Sequence, residues 1–320
     1  MNHSASHPNE AGALLLPHLR LRGANLISSP HTWGFPAPSA FAGFVHALQR
    51  ELNAKGTSVQ FTGVGIVCHD HEAQVHDGGY VQTLRMARSP LDADGTPRIA
   101  EDARTHLDVS LVIGVAGEDA PASDRQADAM AQLLLDLAPM RRLAGGSIEL
   151  SRRPGTGWVW SDQEQGELAL RRLKRRLLPG FALVERSDLL ESHLAALRSA
   201  RPETHALDAL LDLIALHHEP PADGQDGRWT RKRRESGWLV PIPAGYGAIS
   251  TLHAPGSVKN ARDTSTPFRF VESLLTLGEW RSPHRLRSLN DLLWRHAAEP
   301  DVGLYRVRNQ PNLAQNSTED

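Results

Sequence analysis

The densest chemistry in this chain of 320 residues is cationic. Arg171-Arg172-Leu173-Lys174-Arg175-Arg176 places five cations in six residues. At helical spacing Arg171, Arg172 and Arg175 share a face, with Leu173 and Leu177 on another. Such a stripe is either a solvated helix face or a row of phosphate ligands. In the second case counterion release would supply sequence-independent affinity for nucleic acid. A further run, Arg228-Trp229-Thr230-Arg231-Lys232-Arg233-Arg234, interleaves an indole with five cations. Single-stranded RNA binders combine base stacking with backbone cations in this way. The run also follows a Pro/Gly-rich loop and reads equally as a disordered basic flap. Arg141-Arg142 precede Gly145-Gly146. Glycines let a backbone approach phosphates and arginines fork onto them, or this is an ordinary turn with two surface arginines. Trp33 and Phe35 sit in a Pro-rich loop, where they either stack on bases or, the favoured reading, pin the loop to the core.

Histidines, 16 in all, raise metal and acid–base chemistry. His69-Asp70-His71-Glu72 is the densest group of ligand types, followed by His217-His218-Glu219. On a strand, His69 and His71 would share a face, but no third ligand follows by spacing. No catalytic triad, phosphate loop, nucleophile elbow or zinc pattern is legible, so the sequence predicts no catalytic residue, metal or cofactor. Gly63-Val64-Gly65 lies within a strand-like run and does not open a helix, as a dinucleotide fingerprint requires. The lone cysteine, Cys68, lies in the apolar GVGIVCH stretch and reads as a small core residue.

The elements that would position these groups follow from composition and pattern. Hydrophobic residues make up 40% and charged residues 22%, a globular balance. No apolar run reaches membrane-helix length, the N-terminus lacks a signal-peptide pattern, and one cysteine allows no internal disulfide. A cytoplasmic protein is expected, without membrane contact. Net charge is −2 but uneven. Ala87–Leu137 holds four basic and ten acidic residues, Arg141–Arg186 ten and five, and Arg228–Arg287 eleven and four. One face for a polyanion and another for protein or solvent is the implied arrangement.

Residues 1–12 read as a disordered leader and the tail after Arg308, residues 309–320, likewise. Leu14–Leu21 reads as a strand and Gly23–Pro38 as loop. Ser39–Asn53 is a helix capped by Ser39, and Val59–Cys68 and His106–Val115 are strands. Asp124–Leu137 is a helix capped by Ser123, and Leu143–Leu150 is a turn feeding a short strand. This order predicts an α+β chain with a split βαβ, ferredoxin-like core over about 13–150. The elaborations over 151–308 are a basic helix Gln163–Leu178, a strand Phe181–Val184, and helices Asp188–Ser199 and Thr204–Leu216. A polar loop His217–Arg228 follows, then an extended Pro/Gly-rich segment Trp238–Ile249 and a final helix Pro283–Ala297.

Several long strings carry a resemblance: ISSPHTWGFPAPSAFAGFVHALQR (Ile27–Arg50), GVGIVCHDHEAQ (Gly63–Gln74), RLAGGSI (Arg142–Ile148) and RRLLPGFALV (Arg175–Val184). GWLVPIPAGYGAIS (Gly237–Ser250), VKNARDTSTPFRFVESLLTLGEWRSPHR (Val258–Arg285) and GLYR (Gly303–Arg306) complete it. In order and over about Leu14 to Arg308, they resemble the type I-F (Csy) CRISPR family that forms the tail of an RNA-guided surveillance complex. The Arg228–Arg234 run lies where the match fades.

The resemblance implies a repeat-associated superfamily protein with an RRM-related, ferredoxin-like core and added hairpins and helices, one domain over 13–308. It implies a non-catalytic antiviral subunit that grips the 5′ handle of the guide RNA. Expected partners are the large subunit and the first backbone subunit, with target DNA near the protospacer-adjacent motif as a further contact. Within the matching strings the RNA-binding candidates are Arg142, Arg175, Arg176, Arg262, Arg269 and Trp33, joined by Arg171 and Arg172 of the basic helix. Two readings compete: a metal-independent ribonuclease of the same superfamily, using His69 or His31, and a scaffold without RNA contact.

Overall fold

The computed structural model describes residues 10–88, 99–150, 157–160, 163–221, 229–261 and 263–309. Arg228, Arg262 and the terminal stretches lie outside them. The chain opens with a long strand, β1 (Gly12–Asn25), and a small hairpin, β2 (Ile27–Ser29) with β3 (Thr32–Trp33). Helix α1 (Pro38–Ala54) and strand β4 (Gln60–Ala73) follow. Then come three short paired strands, β5 (Val75–Asp77), β6 (Gln82–Arg88) and β7 (Ile99–Asp102). Strand β8 (Arg104–Ala116), helix α2 (Asp124–Leu137), and strands β9 (Arg142–Leu143) and β10 (Gly146–Leu150) complete the first half. The strands lie side by side in the order β4-β8-β1-β10, every neighbour antiparallel, so β1 and β4 run the same way with β8 between them. Helix α1 makes that crossover and α2 the one from β8 to the β9–β10 hairpin.

Alternation along β1 decides which layer covers each face. Leu14, Leu16, Leu19 and Leu21 meet Phe41, Val45 and Leu48 of α1 and Ala127 and Leu134 of α2 in the main core. Ala13 and Leu15 point the other way, into a second cluster with Val67, Val112, Leu173 and Leu177. The pairing of β1 with β8 slips between Leu16 and Leu19, where Pro17 cannot donate and His18 has a positive φ of 50°.

The second half begins with β11 (Gly157–Trp160), which pairs with the start of β1, and helix α3 (Gln163–Arg176). Strand β12 (Phe181–Glu185), helices α4 (Ser187–Ala200) and α5 (Ala206–Ile214), and the ribbon β13 (His217–Glu219) with β14 (Thr230–Lys232) follow. The last strands are β15 (Trp238–Ala248), β16 (Val271–Arg281), β17 (Leu293–Glu299) and β18 (Leu304–Arg308). β12 pairs with both β16 and β4, so β12-β16-β15-β18-β17-β4 closes into a six-stranded antiparallel ring. β4 serves both halves. One edge runs along β8, while the other meets β17 at Val64 and Gly65 and β12 at Val67 and Cys68.

Buried polar groups stitch the ring. Trp294 is fully enclosed and its Nε1 donates to the Leu183 carbonyl at 2.9 Å. Asn309, also fully enclosed, accepts from the Glu185 N–H and donates to the carbonyls of Asp291 and Leu293. Burial pushes the Glu185 carboxyl up, while Arg308 and the Asn309 N–H oppose the rise. Glu279 sits buried between Arg186 and Arg281, which lies 2.8 Å away.

The chain is α+β, as expected, and its strands form a large antiparallel sheet, but several elements differ. Helix α1 starts at Pro38 with Ala37, not Ser39, in the cap position. The Gly23–Pro38 loop contains the β2–β3 hairpin, and His217–Glu219 is a strand. Trp238–Ala248 is a ring strand paired with β16 along its length apart from an irregularity between Pro243 and Gly245. Pro241 and Pro243 are tolerated because β18 pairs with β15 only from Gly245 onward, leaving the edge beside them without a strand that needs their N–H. The predicted helix Pro283–Ala297 is a single 3₁₀ turn, Pro283–Arg285, followed by β17. The Asp291 carboxylate captures the N–H groups of Arg287 and Ser288 and the Ser288 hydroxyl, which diverts the backbone from a helix. Nor is the chain after Arg308 all tail, since Asn309 belongs to the core.

Candidate nucleic-acid interface

Helix α3 is rich in Leu, Ala, Glu, Gln, Arg and Lys, all good helix formers, and its last turn carries Lys174, Arg175 and Arg176. Cations there complement the helix C-terminus, so part of the run has a local structural cause. Leu173 and Leu177 anchor the helix on the second core cluster. The cations divide differently from the sequence expectation. Arg172 and Arg176, one turn apart, line a cleft beside Trp158 and Trp160. Arg171 and Arg175 are exposed outside it, Arg171 lying 3.7 Å from Glu167. Burial lowers the Arg176 pKa, and the charge of Asp128 acts against the shift.

Arg142 stands on β9 at a two-residue hairpin turn made by Ala144 (φ 50°) and Gly145 (φ 79°). Its Nη1 donates to the Gly145 carbonyl at 3.1 Å, and the side chain is exposed. The glycines here serve chain packing: a Cβ at Gly145 would strike the Asn25 amide, and one at Gly146 the Ala24 backbone. Arg141 pairs with Glu51 at 2.9 Å. Arg269 is half-buried, lies against Gly303 and donates to the Pro300 carbonyl. Arg262 lies outside the described residues.

The two aromatics of the Pro-rich loop part company. Phe35 stacks on Phe41 and meets Trp280 edge-on, so it pins the loop. Trp33 is 66% exposed and available to a ligand. Of the second basic run, Thr230–Lys232 forms the β13–β14 ribbon rather than a flap. Lys232 pairs with Glu219 at 2.6 Å and Arg234 with Asp212 at 3.3 Å, while Arg231 and Trp229 are exposed.

His69 and His71 do not converge, because a register shift between Cys68 and Asp70 breaks the alternation. His71 Nε2 meets the Gly34 carbonyl. His69 Nδ1 lies 2.6 Å from the Pro179 carbonyl, which can only accept, so Nδ1 carries the hydrogen. Nε2 therefore accepts from the Ser110 hydroxyl at 2.7 Å, and both ring nitrogens are engaged. Burial, and then the charge of His18 with its ring centre 4.2 Å away, lowers the His69 pKa, against the hydrogen bond to Pro179. Burial and the charges of Asp70 and Asp108 push the Cys68 thiol up to about 12. Among the described residues no group of three metal-ligating side chains is assembled, and no helix is long and apolar enough to cross a membrane.

Two sets of groups were not singled out from sequence. Tyr246 and Tyr305 stack at 6.5 Å beside a groove that also includes Asn25, Ser28, Ser39 and Ala144. Trp158 and Trp160 line the α3 cleft. The tyrosines do lie in the strings GWLVPIPAGYGAIS and GLYR, a signal that could have marked them.

The α+β chain thus presents outward cations, an exposed indole and grooves lined by aromatic rings. A family model described as CRISPR-associated protein (Cas_Csy2) matches residues 14–307. The CRISPR-associated protein Csy2 of Pseudomonas aeruginosa (strain UCBPP-PA14) is 50% identical over 310 residues, covering 92% of this chain and 94% of that one. The chain belongs to the Csy2 family, of the type I-F Csy group.

Proposed function

We propose that this chain is a non-catalytic subunit of a type I-F CRISPR RNA-guided complex that grips the repeat-derived 5′ handle of the guide RNA. In this reading it works in the cytoplasm and abuts the large subunit, the first backbone subunit and target DNA beside the protospacer-adjacent motif. The observation that carries it is membership of the Csy2 family over residues 14–307. Phosphates are assigned to Arg142, Arg171, Arg172, Arg175, Arg176, Arg262 and Arg269, and a splayed base to Trp33. The exposure of Arg142, Arg171, Arg172, Arg175 and Trp33 supports that assignment.

The first half reads as a ferredoxin-like, RRM-related core, supported by the sequence β1-α1-β4-β8-α2-β10 and the lateral order β4-β8-β1-β10. RRM domains stack bases on the sheet face away from their helices. Here α3 covers one end of that face through Leu173 and Leu177. The other end gathers Asp70, Glu72 and Asp108 beside Arg20 and Arg22. Carboxylates repel phosphates, so the RNA is assigned to the arginine-bearing turn at Arg142 and to α3 instead.

The test is a tagged pull-down from cells carrying a matching CRISPR array, with sequencing of the bound RNA. RNAs sharing one 5′ handle, co-purifying with a large and a backbone subunit, are expected. Reversing Arg142 and Arg175 to Glu should cut RNA retention roughly tenfold or more, since each reversal replaces a phosphate contact with a repulsion. Protein partners recovered with RNA retention unchanged by the reversals would overturn RNA gripping in favour of a scaffold.

A further inference from the structure

A cleft of about 690 Å³ lies between α2, β11 and α3. Val159 and Leu173 form its apolar floor. Its walls carry opposite charge. Asp124 and Asp128 stand one turn apart on α2, and Arg172 and Arg176 one turn apart on α3. Trp158 and Trp160 complete it, ring centres 5.3 Å apart and nearly perpendicular at 83°. Trp160 Nε1 donates to Asp124 Oδ1 at 3.1 Å and so fixes that carboxylate. The Arg176 guanidinium rests over Gly157, in the space where a Cβ would otherwise sit.

This polarity is wrong for a run of backbone phosphates, because two carboxylates oppose them. It suits a ligand with N–H donors at one end, an anion at the other and a flat ring between. Indoles stack on any base and guanidinium forks bind phosphate. A carboxylate only accepts, and guanine is the base whose pairing edge offers two adjacent donors, N1–H and the N2 amino group, to one carboxylate.

We propose that the cleft binds a single guanine nucleotide. The ring lies against Trp158 and Trp160, its donor edge meets the α2 carboxylates, and its phosphate meets Arg172 and Arg176. The inference deepens the RNA reading above and rests on it for the natural source, an unstacked guanosine of the guide. A free guanine nucleotide offers the same chemistry.

The experiment has two arms on the full-length chain. In the first, GMP and AMP are titrated by calorimetry against wild type, Asp124→Asn and Arg172→Glu, with melting temperatures confirming folded variants. GMP is expected to bind about tenfold more tightly than AMP, the scale of one bidentate base contact. Asp124→Asn should erase that preference, and Arg172→Glu should weaken GMP far more than guanosine. In the second arm, an RNA carrying the 5′ handle with 6-thioguanosine at each G is irradiated and the crosslinked peptides are identified. A crosslink at Gly157–Trp160 supports the cleft and names RNA as the source. GMP binding without that crosslink supports the cleft with the free nucleotide as source. No GMP binding at millimolar concentration, together with no crosslink in RNA that the chain does retain, overturns the cleft while leaving RNA gripping intact. If the chain retains no RNA, gripping fails and the GMP titration alone decides the cleft.

Discussion

Replacing Asn309 with Ala should be among the most destabilising changes outside the apolar core. Its side chain is fully buried and joins three separate pieces of chain. Oδ1 accepts the Glu185 N–H at 3.1 Å, and Nδ2 donates to the carbonyls of Asp291 at 3.0 Å and Leu293 at 3.2 Å. Alanine keeps the backbone bond from Asn309 N to Glu185 Oε2 but orphans the Glu185 N–H and removes a donor shared by the carbonyls of Asn290, Asp291 and Leu293. An orphaned buried group costs about 1–3 kcal/mol, so the summed loss is roughly 3–5 kcal/mol. At about 2 °C per kcal/mol for a chain of this size, the melting temperature should fall by roughly 6–10 °C. Thermal unfolding followed by tryptophan fluorescence reads this directly, since Trp294 is buried in the same ring. Asn309→Asp should be at least as damaging, because an acceptor would then face two carbonyls and stand near Glu185. Ending the chain after Arg308 should cost more than the alanine variant, because it also removes the bond from Asn309 N to Glu185 Oε2. A loss below about 1 kcal/mol for Asn309→Ala would refute the reasoning, since that is no more than one ordinary hydrogen bond.

Other outcomes follow from the same contacts. Phe35→Ala should cost about 3 kcal/mol by removing a ring that touches Phe41 and Trp280, while Trp33→Ala should change stability by no more than about 0.5 kcal/mol; denaturant titration separates them. The folded-state pKa of His69 lies below the ordinary value of 6.5, so its contribution to stability is present above that value and lost as pH falls through the folded pKa. His69→Gln, which can still donate to Pro179 and accept from Ser110, should flatten the stability–pH slope below pH 6.5. Cys68, with its thiol pushed up to about 12, should resist a disulfide-exchange reagent at pH 8 in the native state and react fully once unfolded.

What the sequence made legible was what local chemistry decides. Helix α2 starts after the Ser123 cap, where the Ser123 hydroxyl accepts from the Gln126 N–H, because capping involves neighbours in the chain. β8 and β12 appear close to their predicted limits because their apolar residues are buried runs. The ring strand β15 was hidden by Pro241 and Pro243, which break strands unless the strand has an unpaired edge, and that edge is set by β18 some 60 residues away. The leucines of 286–293 imitated a helix. Leu286, Leu292 and Leu293 are indeed buried together, but through a turn organised by Asp291. For the candidate interface, residue types were legible and their grouping was not. Arg172 joins Arg176 rather than Arg171 or Arg175, and its indole neighbours arrive on β11, a strand held in place by β1 from the far end of the chain.

Strand β4 has a mechanical consequence. Because one edge is committed to β8 and the other to β17 and β12, no hinge can open between the two halves without breaking hydrogen bonds in the middle of a continuous strand. The chain is a rigid bracket whose angle is set at folding. A polymer laid across both halves meets a fixed template, so the cost of bending falls on the polymer and none is spent closing the protein around it.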